Sequence, residues 1–83
     1  MNTQVAIVTG GASGIGRAVC EALAEQGCRV VVADIDERLG LDLAGQINGH
    51  FMPTDLADSA QCKALVRETI EHYGRVDVLV NNG

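Results

Sequence analysis

Short apolar runs alternate with stretches of helical periodicity along almost the whole of this 83-residue chain, and that alternation limits its folds most. Val5-Ala6-Ile7-Val8 comes first and predicts a strand buried on both faces. Ile15, Ala18, Val19, Ala22 and Leu23 then recur at helical spacing, with Gly27 as a stop. Val30-Val31-Val32-Ala33 predicts a second strand, rich in β-branched residues. Leu39, Leu43 and Ile47 mark a second helix that leaves through Asn48-Gly49.

The second half repeats the pattern more weakly. His50-Phe51-Met52-Pro53 predicts a third strand, and Pro53, which has no N–H to donate, places it at a sheet edge. Asp58 with Gln61 three positions on has the form of a helix N-cap and its partner. The third helix carries Cys62, Leu65, Val66, Thr69, Ile70 and Tyr73 on one face and ends near Gly74. Val76-Asp77-Val78-Leu79-Val80 is a fourth strand, before Asn81-Asn82-Gly83. The order βαβαβαβ predicts a parallel sheet with helices on both faces. Right-handed crossovers then favour one arrangement. The expected fold class is α/β, a Rossmann-type doubly wound sheet of strand order 3-2-1-4, with the ligand crevice between strands 1 and 4. Residues 1–83 form one domain on this reading, a truncated half of the full fold. A chain of this length buries only somewhat more than about 60% of its unfolded surface, so a self-sufficient protein is the less favoured alternative.

Composition excludes several functions. With 47% apolar residues the chain is not disordered by composition. No apolar run approaches the ~20 residues that cross a bilayer, and no basic segment precedes an apolar core as in a signal peptide. The net charge of −5 and scattered basic residues argue against a nucleic-acid partner. Cys20, Cys28 and Cys62 are odd in number and lack metal-ligand spacing, which fits a reducing, cytoplasmic compartment. Each is expected to be a small buried hydrophobe. His50 and His72 stand alone in the sequence, with His72 in the last turn of the third helix, so no metal site is expected.

Between the first strand and first helix lies Thr9-Gly10-Gly11-Ala12-Ser13-Gly14-Ile15-Gly16. Glycines let the backbone turn sharply and let a pyrophosphate approach without meeting a Cβ. The amides and dipole at the helix start favour phosphate charge. Two other phosphate motifs fail. A P-loop would need Lys and Ser/Thr where Arg17 and Ala18 stand, and the compact G-x-G-x-x-G form would need glycine where Val19 stands.

The spacing actually present, Thr9-Gly10-x-x-x-Gly14-Ile15-Gly16, resembles the cofactor motif of the short-chain dehydrogenases/reductases. The resemblance continues through Asp34, Asp55-Leu56 and Asn81-Asn82, covering almost the whole chain. It implies that backbone groups around Ser13 and Ile15 meet the ribose and pyrophosphate. It implies that Asp55 and Leu56 hold the adenine. It also implies that Asn81-Asn82 flanks the adenosine ribose and ties strand 4 to strand 1 through Thr9. The expected cofactor-binding set is Gly10, Ser13, Gly14, Ile15, Gly16, Asp34, Asp55, Leu56, Asn81 and Asn82.

Asp34 ends the second strand, 18 residues after Gly16. A carboxylate there accepts hydrogen bonds from a ribose 2′-hydroxyl and repels a 2′-phosphate. NADP-preferring relatives usually carry a basic residue at the positions held here by Ser13 or Ile35, so NAD(H) is the expected cofactor. Asp36 is expected to cap the second helix rather than meet the ribose.

The family's chemistry uses a Ser and a Tyr-x-x-x-Lys pair in a later part of a longer chain. The tyrosine moves a proton while the cofactor carries hydride, and the lysine lowers the tyrosine pKa. The one tyrosine here, Tyr73, is followed four residues on by Asp77, which cannot do this. Tyr73 is therefore expected in the core, and no catalytic residue is assigned. The family's usual Asn-Asn-Ala-Gly would also place alanine where Gly83 stands. The preferred function is the NAD(H)-binding half of an oxidoreductase that interconverts an alcohol and a carbonyl, homo-oligomeric when complete. A catalytically inactive nucleotide-binding fragment, or an interaction module that has lost nucleotide binding, stand as alternatives.

Overall fold

The computed structural model describes residues 3–82, so Gly83 lies outside the described residues. The chain forms β1 (Val5–Thr9), α1 (Gly14–Glu25), β2 (Arg29–Asp34), α2 (Glu37–Ile47), β3 (His50–Pro53), α3 (Ser59–Tyr73) and β4 (Val78–Asn81). The strands form one parallel sheet in the order β3-β2-β1-β4. The expected fold class and strand order are both present. Pro53 stands on the edge strand, where its missing N–H breaks no ladder bond. β4 begins at Val78 and runs on to Asn81, later than the apolar run that announces it.

Strand periodicity divides the core into two layers. Val8, Val30 and Val32 face one side, where they pack with Ala12, Cys20 and Leu43 under α1 and α2. Ile7, Val31 and Ala33 face the other side and meet Met52 and Leu65 under α3. The β1 and β2 valines are at most 2% exposed, and each such side chain contributes about 1.5–3 kcal/mol of transfer free energy. The absent side chain of Gly40 leaves room for the Phe51 ring, which lets α2 settle onto β3.

The helix ends follow local chemistry. Asp36 accepts the Leu39 N–H at 3.0 Å and caps α2, as expected. Asn48 ends that helix in the left-handed region at φ 55°. Asp58 accepts from the Ala60 and Gln61 amides and caps α3, which closes at Gly74. Gln61 does not complete the expected reciprocal cap. Its side chain reaches past Asp58 to the Asp55 N–H, because the turn after β3 brings that amide within reach.

The apolar face of α3 is only half covered. Leu65 and Thr69 are buried, but Val66 is 39% and Ile70 47% exposed, and Leu79 on β4 is 59% exposed. β4 is the last strand on that side, so nothing in the described chain packs beyond it. Tyr73 is partly buried against the layer under α3. The two histidines, separate in sequence, stack at 4.8 Å between ring centroids, with Tyr73 edge-on to His72. Among the described residues no helix is long and apolar enough to cross a membrane.

Candidate cofactor-binding site

Because the strands are parallel, their C-terminal ends share one edge of the sheet, and the loops there carry the predicted site. Gly10 continues β1 with an N–H bond to Ala33 O at 2.8 Å and then turns at φ 63°. A Cβ on Gly10 would collide with the Asn82 carbonyl oxygen, and one on Gly16 with the Gly10 carbonyl oxygen. The bend is therefore closed by backbone on both sides. Gly14 has a left-handed φ of 60° too, but nothing lies within 4 Å of its Cβ position. The space beside Gly14 is thus open to a ligand.

Ser13 is the N-cap of α1, with extended backbone and no side-chain cap bond. The first amides of a helix have no acceptor within it. The Gly14, Ile15 and Gly16 N–H groups thus lie at the positive end of the helix dipole, an arrangement suited to phosphate. Asp34 stands over the same bend. Its Oδ2 accepts the Ala12 N–H at 3.0 Å, and its Oδ1 accepts the Asp36 N–H at 2.9 Å. Each oxygen keeps a further lone pair for a ligand hydroxyl.

Beside the bend is a cavity of about 260 Å³ lined by Gly10, Asn82, Asp34, Ile35 and residues 54–57. That is somewhat less than a drug-sized pocket, and suits one part of a dinucleotide. Five of the predicted residues, Gly10, Asp34, Asp55, Leu56 and Asn82, meet around it. Ser13, Gly14, Ile15 and Gly16 form the adjoining bend and first helical turn, outside the lining. Asn81 borders a different cavity, with Thr9, Leu65, Val66 and Leu79. The visible work of Asn81 is structural. The Thr9 hydroxyl lies 3.1 Å from Asn81 Oδ1 and 3.2 Å from Val80 O, and it accepts the Asn82 N–H at 3.1 Å. Asn82 Nδ2 in turn donates to Gly10 O at 3.2 Å, so β4 is fastened to the bend from both sides of Thr9.

Arg17 and Cys20, close to the bend, already have partners or are buried. Arg17 donates to Gln46 Oε1 at 2.9 Å and lies 3.8 Å from both Glu21 and Asp42. Burial pushes the Cys20 thiol up to about 11, so this cysteine packs beneath the bend without becoming a thiolate. Among the described residues, no three His, Cys, Asp or Glu side chains come together to hold a metal ion.

Residues 4–83 match the sequence profile of the family described as short chain dehydrogenase. The chain belongs to the short-chain dehydrogenase family. It is 46% identical over 84 residues to an uncharacterized oxidoreductase of Thermotoga maritima, covering 95% of this chain and 33% of that protein. It is 38% identical over 89 residues to the human 15-hydroxyprostaglandin dehydrogenase [NAD(+)], covering 99% of this chain and 34% of the enzyme. Among solved structures it resembles a short chain dehydrogenase/reductase from Burkholderia phymatum in complex with NAD. That likeness has a TM-score of 0.90 at 32% identity, over 94% of this chain and 30% of that one. This short-chain dehydrogenase sequence thus spans about a third of the length of the relatives it matches.

Three neighbours of the candidate site escape a motif search. Thr54 and Ala57 line the cavity, and Ala12 supplies the amide that holds Asp34. Thr54 could have been found from its place just after a strand, since ligands gather at the C-terminal ends of parallel strands. Ala12 carries no such signal, because only its backbone is used.

Proposed function

We propose that this chain is the NAD(H)-binding part of an oxidoreductase that interconverts an alcohol and a carbonyl by hydride transfer. The observation that carries the proposal is the Asp34 carboxylate, bonded to the Ala12 amide of the glycine bend and bordering the cavity beside it. When bound, the nicotinamide cofactor supplies or accepts the hydride. The residues of this chain bind and orient its other end. Amides at the start of α1 meet the pyrophosphate, Asp34 accepts from the ribose hydroxyls, and Asp55 with Leu56 takes the adenine. Asn82 holds the bend on which all of this depends. The three free cysteines are in keeping with a reducing, cytoplasmic compartment.

The proposal includes a choice between NAD and NADP. A 2′-phosphate would stand close to Asp34, and two like charges in a partly dry crevice cost over about 1 kcal/mol, roughly tenfold in affinity. Arg17 is drawn to acidic neighbours on α1 and α2, and it does not stand where NADP-preferring relatives carry their basic residue. In support, the human relative carries NAD(+) in its name and the Burkholderia structure holds NAD.

Titration of the protein with NADH and NADPH by calorimetry tests this. NADH is expected to bind at least about tenfold more tightly. Asp34→Ala combined with Ile35→Arg is expected to reverse the preference, because Ile35 is 76% exposed at the cavity and can present a cation there. Equal affinities in the wild type, or a double variant with the wild-type ratio, would overturn the assignment of Asp34 to the ribose.

A further inference from the structure

Asn48-Gly49 joins α2 to β3, away from the glycine bend and its cavity. Asparagine is a thermolabile residue, and most of all before glycine, whose amide nitrogen no side chain shields. That nitrogen attacks the asparagine Cγ. The new N–C bond closes a five-membered succinimide ring, and the side-chain nitrogen leaves as ammonia, taking the proton from the attacking amide. Water then opens the ring at either carbonyl. The products are aspartate and isoaspartate, the second with a main chain one carbon longer. Water is the single co-reactant.

The fold holds this step off in three ways. Asn48 caps α2 in the left-handed region, at φ 55° and ψ 40°. At that ψ the Gly49 nitrogen lies nearly anti to the Asn48 Cβ, whereas the ring needs the two nearly eclipsed. The Gly49 N–H also donates to Ala44 O at 2.8 Å, which ties the attacking atom to the helix. Gly49 is packed against β2 as well, since a Cβ on it would come within 2.6 Å of the Val30 carbonyl oxygen. The peptide between Asn48 and Gly49 therefore cannot turn in place. The last turn of α2 has to let go first. Asn48 itself is exposed, so water reaches it once the turn opens.

We infer that Asn48-Gly49 is a deamidation site gated by the end of α2. It is closed in the folded chain and is converted to aspartate and isoaspartate when that end opens. The conversion is one-way, and its products disfavour closing again. A carboxylate at position 48 adds negative charge at the negative end of the α2 dipole. It also adds that charge to a cavity that Asn48 shares with Glu21 and Glu25 of α1. Isoaspartate further lengthens the main chain just before His50, which pairs with Val31 in the sheet. Each opening that reacts thus leaves an end that closes less well.

Peptide mapping by mass spectrometry tests this. Trypsin cuts after Arg38 and Lys63, and the peptide between them holds Asn48 as its single asparagine. Folded protein and protein unfolded in guanidinium chloride are incubated at the same neutral pH and temperature. The unfolded chain is expected to convert at least about tenfold faster, because attack in the folded chain waits on local opening. Gly45→Ala adds a better helix former near the end of α2, where nothing meets its Cβ. It is compared with wild type in mild denaturant, below the unfolding transition, where openings are frequent enough to count. The variant is expected to convert about twofold more slowly there, and at the wild-type rate when fully unfolded. Equal rates in folded and unfolded wild type overturn the gate. An unfolded chain that keeps Asn48 intact overturns the site. A Gly45→Ala chain that reacts as fast as wild type in mild denaturant places the opening elsewhere, and overturns the inference too.

Discussion

At the scale of single residues, two kinds of glycine have opposite prospects. Gly16 sits where a Cβ would strike the Gly10 carbonyl oxygen and crowd Asn82 Nδ2. Backbone cannot swing aside as a side chain can, so the bend must distort. Gly16→Ala is expected to cost about 2–4 kcal/mol of stability and to abolish measurable NADH binding, as read by urea unfolding and calorimetry. Gly45 lies within α2, exposed, with nothing within 4 Å of its Cβ position. Gly45→Ala is expected to raise stability by up to about 1 kcal/mol, because alanine gives up less chain entropy in a helix. A motif search separates these two by context only. The collision at Gly16 is long-range, since one of its partners, Asn82, comes from the far end of the chain.

At the scale of elements, the sheet is fastened at both ends of the β1–β4 pair. At the site end the Thr9 hydroxyl joins the two strands. At the opposite end Asp77 Oδ2 accepts the Val5 N–H at 2.8 Å, while the Asp77 amide donates to Val5 O at 2.8 Å. Arg75 grips the same carboxylate, with Nη2 2.6 Å from Oδ1. The Arg75 hydrogen bonds, and next the Val5 amide, hold the Asp77 carboxyl below its ordinary value of 3.8. A carboxyl that stays charged to lower pH when folded contributes stability that is fully present above the ordinary value. That contribution is lost as pH falls through the lower folded one. The stability advantage of wild type over Asp77→Asn is therefore expected near neutral pH and to shrink in acid. Urea midpoints of both proteins at neutral pH and well below the carboxylate range check this, and a difference that does not change with pH would count against it. The pair is partly exposed, so the effect is modest. Asp77 has no motif value in the sequence. Its partner Val5 lies 72 positions away, which is why the latch was not legible there.

At the scale of the whole molecule, the cavity and the aromatic cluster occupy opposite ends of the sheet. The cavity gathers at Asp34, Thr54 and Asn82, where the strands finish. His50, His72 and Tyr73 gather where β3 begins and α3 ends, with His50 and Tyr73 centroids 6.4 Å apart. Tyr73 is thus separated from the glycine bend by the length of the strands. Tyr73→Phe is expected to leave NADH affinity within about twofold of wild type, because no hydroxyl contact reaches the cavity. A tenfold loss in the same titration would show that the two ends are coupled.

Much of this fold was legible in the residues alone, because local forces set it. The β-branched runs at Val5–Val8 and Val30–Val32, the helical spacing on α1 and α2, and the caps at Asp36 and Asp58 each act within one element. Their alternation then leaves few parallel topologies, and Pro53 picks the edge. The glycine bend and Asp34 were legible for a similar reason, since a left-handed turn and an acid at a strand end leave marks in the sequence. Only the tertiary structure decided what depends on distant partners. It joined Gln61 to Asp55 rather than to the Asp58 amide, stacked His50 on His72, and set the Asn82 side chain against the Gly10 carbonyl. Sequence patterns record the face a residue presents within its own element. Which group meets it there follows from how separate elements pack.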